Sequence, residues 1–146
     1  MESRVLASTA VDPEISPADA FTTCRIIIIH THGSNGHISL ENAFPDGEEI
    51  LDKVHGKIVT ELLFLGTCEG MKTEDMEKPM RDAGVEVVFG WSQSVKTSTD
   101  HLCISYFTDG LLRGMTAGEA IEYMKEEYCS FYIQNTNLHP SYIQAL

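Results

Sequence analysis

Four isoleucines in succession, Ile26 to Ile29, form an unbroken apolar run within the segment Cys24 to Thr31. A run without polar alternation fits a strand covered on both faces, as in a parallel sheet. Leu62 to Thr67 reads the same way, and Val85 to Phe89 supplies a third such strand, entered through Gly84 and left through Gly90. Helical spacing lies between and after these runs. Thr73 caps a predicted helix with Glu74 and Asp75 in its first turn and Met76, Met80 and Ala83 on one face; Pro79 weakens or kinks it and Gly84 stops it. Cys103, Phe107, Gly110 and Leu111 keep helical spacing after Ser98 and Thr99, up to Gly114. Thr116-Ala117-Gly118-Glu119 matches a capping box, and Ile121, Met124 and Tyr128 continue one apolar face. Phe131 to Gln134 reads as a short last strand. Strands alternating with helices predict an α/β fold with a mainly parallel sheet.

Residues 1–22 hold Pro13 and Pro17 among small and acidic residues without sustained periodicity, so they are expected to form a flexible N-terminal arm before a domain over 23–146. A chain of 146 residues suits one core. Charge narrows the partners. Ten Lys and Arg against 22 Asp and Glu leave a net charge of -12, which opposes binding to nucleic acid and to anionic membrane surfaces. The acidic groups Asp46, Glu48 and Glu49 read as a solvated face. Cys24, Cys68, Cys103 and Cys129 are widely spaced, with no paired-cysteine metal or redox motif, and are read as free thiols. The short apolar runs and the absence of a signal-peptide core in Met1-Glu2-Ser3-Arg4 lead to the expectation of an intracellular, cytoplasmic protein.

In parallel α/β sheets, functional groups collect beyond the carboxyl ends of the strands. Two segments meet that condition: His30-Thr31-His32-Gly33 after the isoleucine run, and Cys68-Glu69-Gly70 after the Leu62 strand. A thiol becomes a nucleophile when a base takes its proton, and an imidazole serves near neutral pH. Attack on a carbonyl creates an oxyanion, which fixed backbone N–H groups stabilise. The N–H groups of Gly33 and Cys68 are the natural donors. Cys68 with His32 is therefore the candidate pair, whereas Cys24, Cys103 and Cys129 have no matching base.

The order of these segments resembles the clan CD cysteine peptidases, and within them the CHAT domains and the related gingipain-like and caspase-like proteins. The likeness rests on the hydrophobic strand followed by His32-Gly33 and on the second strand ending in Thr67-Cys68-Glu69-Gly70, with Cys68 36 positions after His32. It extends to Ala83-Gly84-Val85-Glu86-Val87-Val88-Phe89-Gly90-Trp91 and to Leu112-Arg113-Gly114-Met115-Thr116 with Glu119-Ala120, covering about residues 24–128. The resemblance implies a three-layer caspase-like sandwich and hydrolysis of a peptide or protein substrate without a cofactor. It implies that His32 is general base and acid, that Cys68 is the nucleophile, that the Gly33 and Cys68 amides form the oxyanion hole, and that Trp91 borders the S1 pocket. The family's sheet usually has one or two strands before the His-bearing one, and Val5-Leu6-Ala7 is too short a run to supply them. A sheet reduced on the N-terminal side is expected, completed by homo-oligomerisation or by a partner chain.

Three other readings stand beside this one. The short N-terminal part fits a catalytically inactive caspase-like binding or assembly module. His30 and His32 fall on one side of an extended strand, with His37 soon after, and resemble the first strand of zinc amidohydrolase-like barrels, although such a barrel needs about 250 residues. No metal is assigned on that basis, and His30 is read as structural. Trp91 by composition is a packing residue.

Overall fold

A computed structural model describes residues 3–7, 17–40 and 43–129. Four strands form one parallel sheet: β1 (Ser3–Ala7), β2 (Ile26–His30), β5 (Leu62–Gly66) and β6 (Val87–Gly90), in the spatial order β1-β2-β5-β6. Every residue of β5 and β6 is buried, and so are all four isoleucines of β2. The apolar runs are therefore unbroken because the sheet interior offers neither face to water. The expected mixed α/β architecture with a parallel sheet is present, with β6 beginning two residues later than its apolar run.

The N-terminal strand corrects an expectation. Residues 1–22 do not form an arm throughout: Ser3–Ala7 pairs in parallel with Ile26–His30, residue for residue, and α1 (Pro17–Thr23) follows. Five residues are enough here because β2 is itself five residues long, and an edge strand needs main-chain pairing on one side only. The edge at which a partner chain was expected is filled by β1.

The chain passes from strand to strand through α1, α2 (Gly47–Leu51) and α3 (Glu77–Asp82). The helix expected from Thr73 begins later, at Glu77, and the Thr73 hydroxyl lies within hydrogen-bond reach of the Asn35 carbonyl and the Asp75 carboxylate. Pro79 then falls in the first turn of α3, where its missing N–H costs no intrahelical bond. The helix α4 (Thr97–Leu112) ends as predicted at Gly114: Gly114 N–H donates to the Leu111 carbonyl at 3.0 Å and Met115 N–H to Gly110 at 3.1 Å, the paired bonds of a Schellman end. In α5 (Ala117–Met124) the Thr116 side chain accepts from Glu119 N–H, as the capping box predicts, and a π-helical turn over Lys125–Cys129 follows. The strand expected at Phe131 to Gln134 lies outside the described residues.

Phe64 of β5 and Phe89 of β6 are paired in register with ring centroids 4.3 Å apart, and Phe107 of α4 lies 4.9 Å from Phe89 and 5.6 Å from Phe64. All three rings are fully buried. This contact seats α4 on the sheet face that also carries Gly66, and so brings the first turn of α4 over the carboxyl ends of β2 and β5.

Candidate active site

His30 and Gly66 are direct neighbours at the ends of β2 and β5, and the Thr31 N–H donates to the Gly66 carbonyl at 3.2 Å. Beyond this edge the chain from β2 folds into a small hairpin of β3 (Gly33–Ser34) and β4 (His37–Ile38). Its loop, Asn35-Gly36, has φ of +48° and +79°, the paired left-handed conformation that two-residue hairpin loops need and that Asn-Gly adopts cheaply. The Ser39 N–H donates to the His32 carbonyl at 2.7 Å. His32 with Ser39 and Ser34 with His37 are thus the hydrogen-bonded pairs, and the alternation of an antiparallel ladder turns the N–H of Gly33 away from β4.

The hairpin is clamped onto the turn that carries Cys68. Gly36 N–H donates to the Glu69 carbonyl at 3.0 Å, and the Ser34 hydroxyl to the Glu69 carboxylate at 3.3 Å. Lys72 also pairs with that carboxylate, and its hydrogen bond, aided by its charge, holds the Glu69 pKa below the usual range. A Cβ on Gly33 would come within 2.8 Å of the His37 carbonyl oxygen and of the Thr67 Cβ, and within 2.9 Å of the Cys68 carbonyl oxygen. Glycine at 33 is therefore what lets the two strand-end segments meet. On its other side the Cys68 turn is tied to the segment after β6, with Glu69 N–H donating to Gln93 and Met71 N–H to Trp91. Glu69 adopts a left-handed conformation, φ +54°, which a non-glycine residue keeps only where its surroundings enforce it.

A cleft of about 160 Å³ opens at this point, lined by His30, Thr31, His32, Gly66, Cys68, Val95, Thr97 and Asp100. The structure thus brings both members of the expected pair, Cys68 and His32, to one cavity. Cys68 is partly exposed; its thiol donates to the Val95 carbonyl at 3.4 Å and accepts from the Val95 N–H at 3.3 Å. His32 is exposed, and its ring has no hydrogen-bond partner among the described residues. Cys24 and Cys103 are buried and outside disulfides, in keeping with packing roles. The Cys129 side chain lies outside the described ones.

Two placements differ from expectation. Trp91 does not line this cleft: its side chain is buried, and its indole N–H donates to an oxygen of Asp100 at 2.6 Å. His30, read as structural, lines the cleft, and its Nδ1 is hydrogen-bonded to the other oxygen of Asp100. Asp100, in the first turn of α4, is only 1% exposed. Burial pushes its pKa up, while the hydrogen bonds from Trp91 and His30 act against that rise. A Cβ on Gly66 would lie 2.5 Å from the Asp100 carboxylate, so glycine at the end of β5 is what admits the acid. Asp100 is the residue that sequence reasoning missed. Its signal was its place at helical spacing with Cys103, Phe107 and Gly110, an acid on an apolar face.

A larger groove of about 320 Å³ is walled by Asp46, Glu48, Glu74, Asp75, Lys78 and Asp82 and carries neither thiol nor imidazole. His37, Asp46 and Glu49 place ligand-capable atoms within 4.8 Å of one another. Asp46 and Glu49 already engage each other in the capping box of α2, and the positive end of a helix disfavours a cation. No protein family and no curated protein sequence matches this chain. No helix among the described residues is long and apolar enough to cross a membrane.

Proposed function

We propose that the chain is a cysteine endopeptidase domain of the caspase-like, three-layer kind, hydrolysing peptide bonds through Cys68 and His32. The observation that carries this reading is that the two residues line one cleft at the carboxyl ends of neighbouring parallel strands. In the reaction, the Cys68 thiolate attacks the scissile carbonyl carbon, and the Gly33 and Cys68 N–H groups hold the developing oxyanion. Protonated His32 gives its proton to the amine as the C–N bond breaks, leaving a thioester. Neutral His32 then takes a proton from water, whose oxygen attacks the thioester; the C–S bond breaks, the carboxylic acid leaves, and the thiolate returns.

The substrate is a peptide or an exposed protein segment, and no cofactor is needed for these steps. Thiols held outside disulfides fit a reducing, cytoplasmic setting. The test is incubation with a peptide mixture and mass-spectrometric detection of new chain ends. New ends are expected with the intact protein and not with Cys68→Ala or His32→Ala. Cleavage that persists in Cys68→Ala would contradict the assignment.

A further inference from the structure

The reading of the cleft as a peptidase site leaves one of its imidazoles without a task. His30 lines the same cavity as Cys68. Its Nδ1 is committed to Asp100, and Asp100 is committed on its other oxygen to Trp91. Such an arrangement, an imidazole oriented by a buried carboxylate that a further donor fixes in turn, is how sites prepare a base. It stands in contrast to exposed His32. The space it occupies is made by a missing side chain at Gly66, where any Cβ would collide with the Asp100 carboxylate.

We infer that Asp100 is a positioning residue for a second working imidazole: held by Trp91, it keeps a proton on Nδ1 of His30 and leaves Nε2 to take up the Cys68 thiol proton. This inference rests on the peptidase reading for its use in catalysis, but not for its test. The S–H bond breaks, the proton passes to Nε2, and the resulting thiolate and imidazolium form an ion pair in the cleft. Ionisation forfeits the thiol's bond to the Val95 carbonyl and keeps the one from the Val95 N–H, so a neighbouring positive charge is what favours the thiolate. His32, which takes its own proton from solvent, then gives that proton to the leaving amine and, once neutral, takes one from the attacking water. Among the described residues, the other charged or titratable groups at His30 are Asp100 itself, His32 across the cleft lining, and His101 of α4, whose ring lies edge-on at 5.7 Å.

The test is the pH profile of Cys68 alkylation by iodoacetamide in the intact chain, read by peptide mass mapping, which needs no substrate. Asp100→Asn and His30→Gln are expected to slow alkylation at neutral pH about tenfold and to move the rising limb up by about one pH unit, the usual scale for loss of a close opposite charge. Trp91→Phe keeps both partners and removes only the donor to Asp100; it is expected to move the limb the same way by less. This keeps the inference testable where the buried Asp100→Asn chain folds poorly, as judged by circular dichroism. A limb that stays in place in folded His30→Gln and Trp91→Phe overturns the inference. If the limb moves as described while no peptide is cleaved, the relay stands and the peptidase reading falls.

Discussion

At the scale of single residues, the site depends on two glycines and one acid. Gly33 has no room for even a methyl group, since the atoms a Cβ would meet under 3.0 Å are main-chain oxygens and the Cβ of buried Thr67, none of them the end of a flexible side chain. Gly33→Ala is therefore expected to lower stability by about 1–3 kcal/mol, the range for overpacking a tight contact, in a urea titration. It should also change the reactivity of Cys68. An unchanged midpoint would mean that the hairpin is not held against the Cys68 turn. Cys68, His32 and Gly33 were legible in the sequence because strand ends are marked by where apolar runs stop. Asp100 was not legible, because an acid in a helix's first turn has an ordinary explanation in the helix dipole. Only the partners that fold back onto it, Trp91 nine positions earlier and His30 seventy positions earlier, reveal another use.

At the scale of elements, the long and strongly periodic segments were legible and the short ones were not. The buried strands showed as apolar runs without alternation, and the Phe107 face of α4 kept helical spacing over several turns. The hairpin β3–β4 has two residues per strand and α2 only five, too few for a period to appear. Both nevertheless carried chemical signals, Asn35-Gly36 for the turn and Asp46 with Glu49 for the cap. Pro79 misled because its effect depends on its distance from the helix start. The element with the most leverage on the site is α4, which reaches the cleft at Thr97 and Asp100 and is seated by Phe107 between Phe64 and Phe89. Phe107→Ala is expected to cost about 3–5 kcal/mol in chemical denaturation, as for a fully buried ring. A loss below about 1 kcal/mol would show that α4 is held chiefly by other contacts.

For the whole molecule, the parallel order β1-β2-β5-β6 places two strand ends side by side where chemistry can gather, and the later helix α4 closes over them. Another part of this architecture that the sequence concealed is β1, a five-residue strand paired along one edge of β2. The thiols are sorted by the same architecture: Cys24 and Cys103 are buried in the core, while Cys68 opens on the cleft. The central claim, that Cys68 is an activated nucleophile in the cleft it shares with His32, is tested most directly by treating the folded chain with a peptidyl acyloxymethyl ketone at neutral pH and measuring its intact mass over time. The account predicts a single added label, located on Cys68 and absent in Cys68→Ala. Labelling of Cys68 no faster than that of the same thiol in the urea-unfolded chain would contradict it.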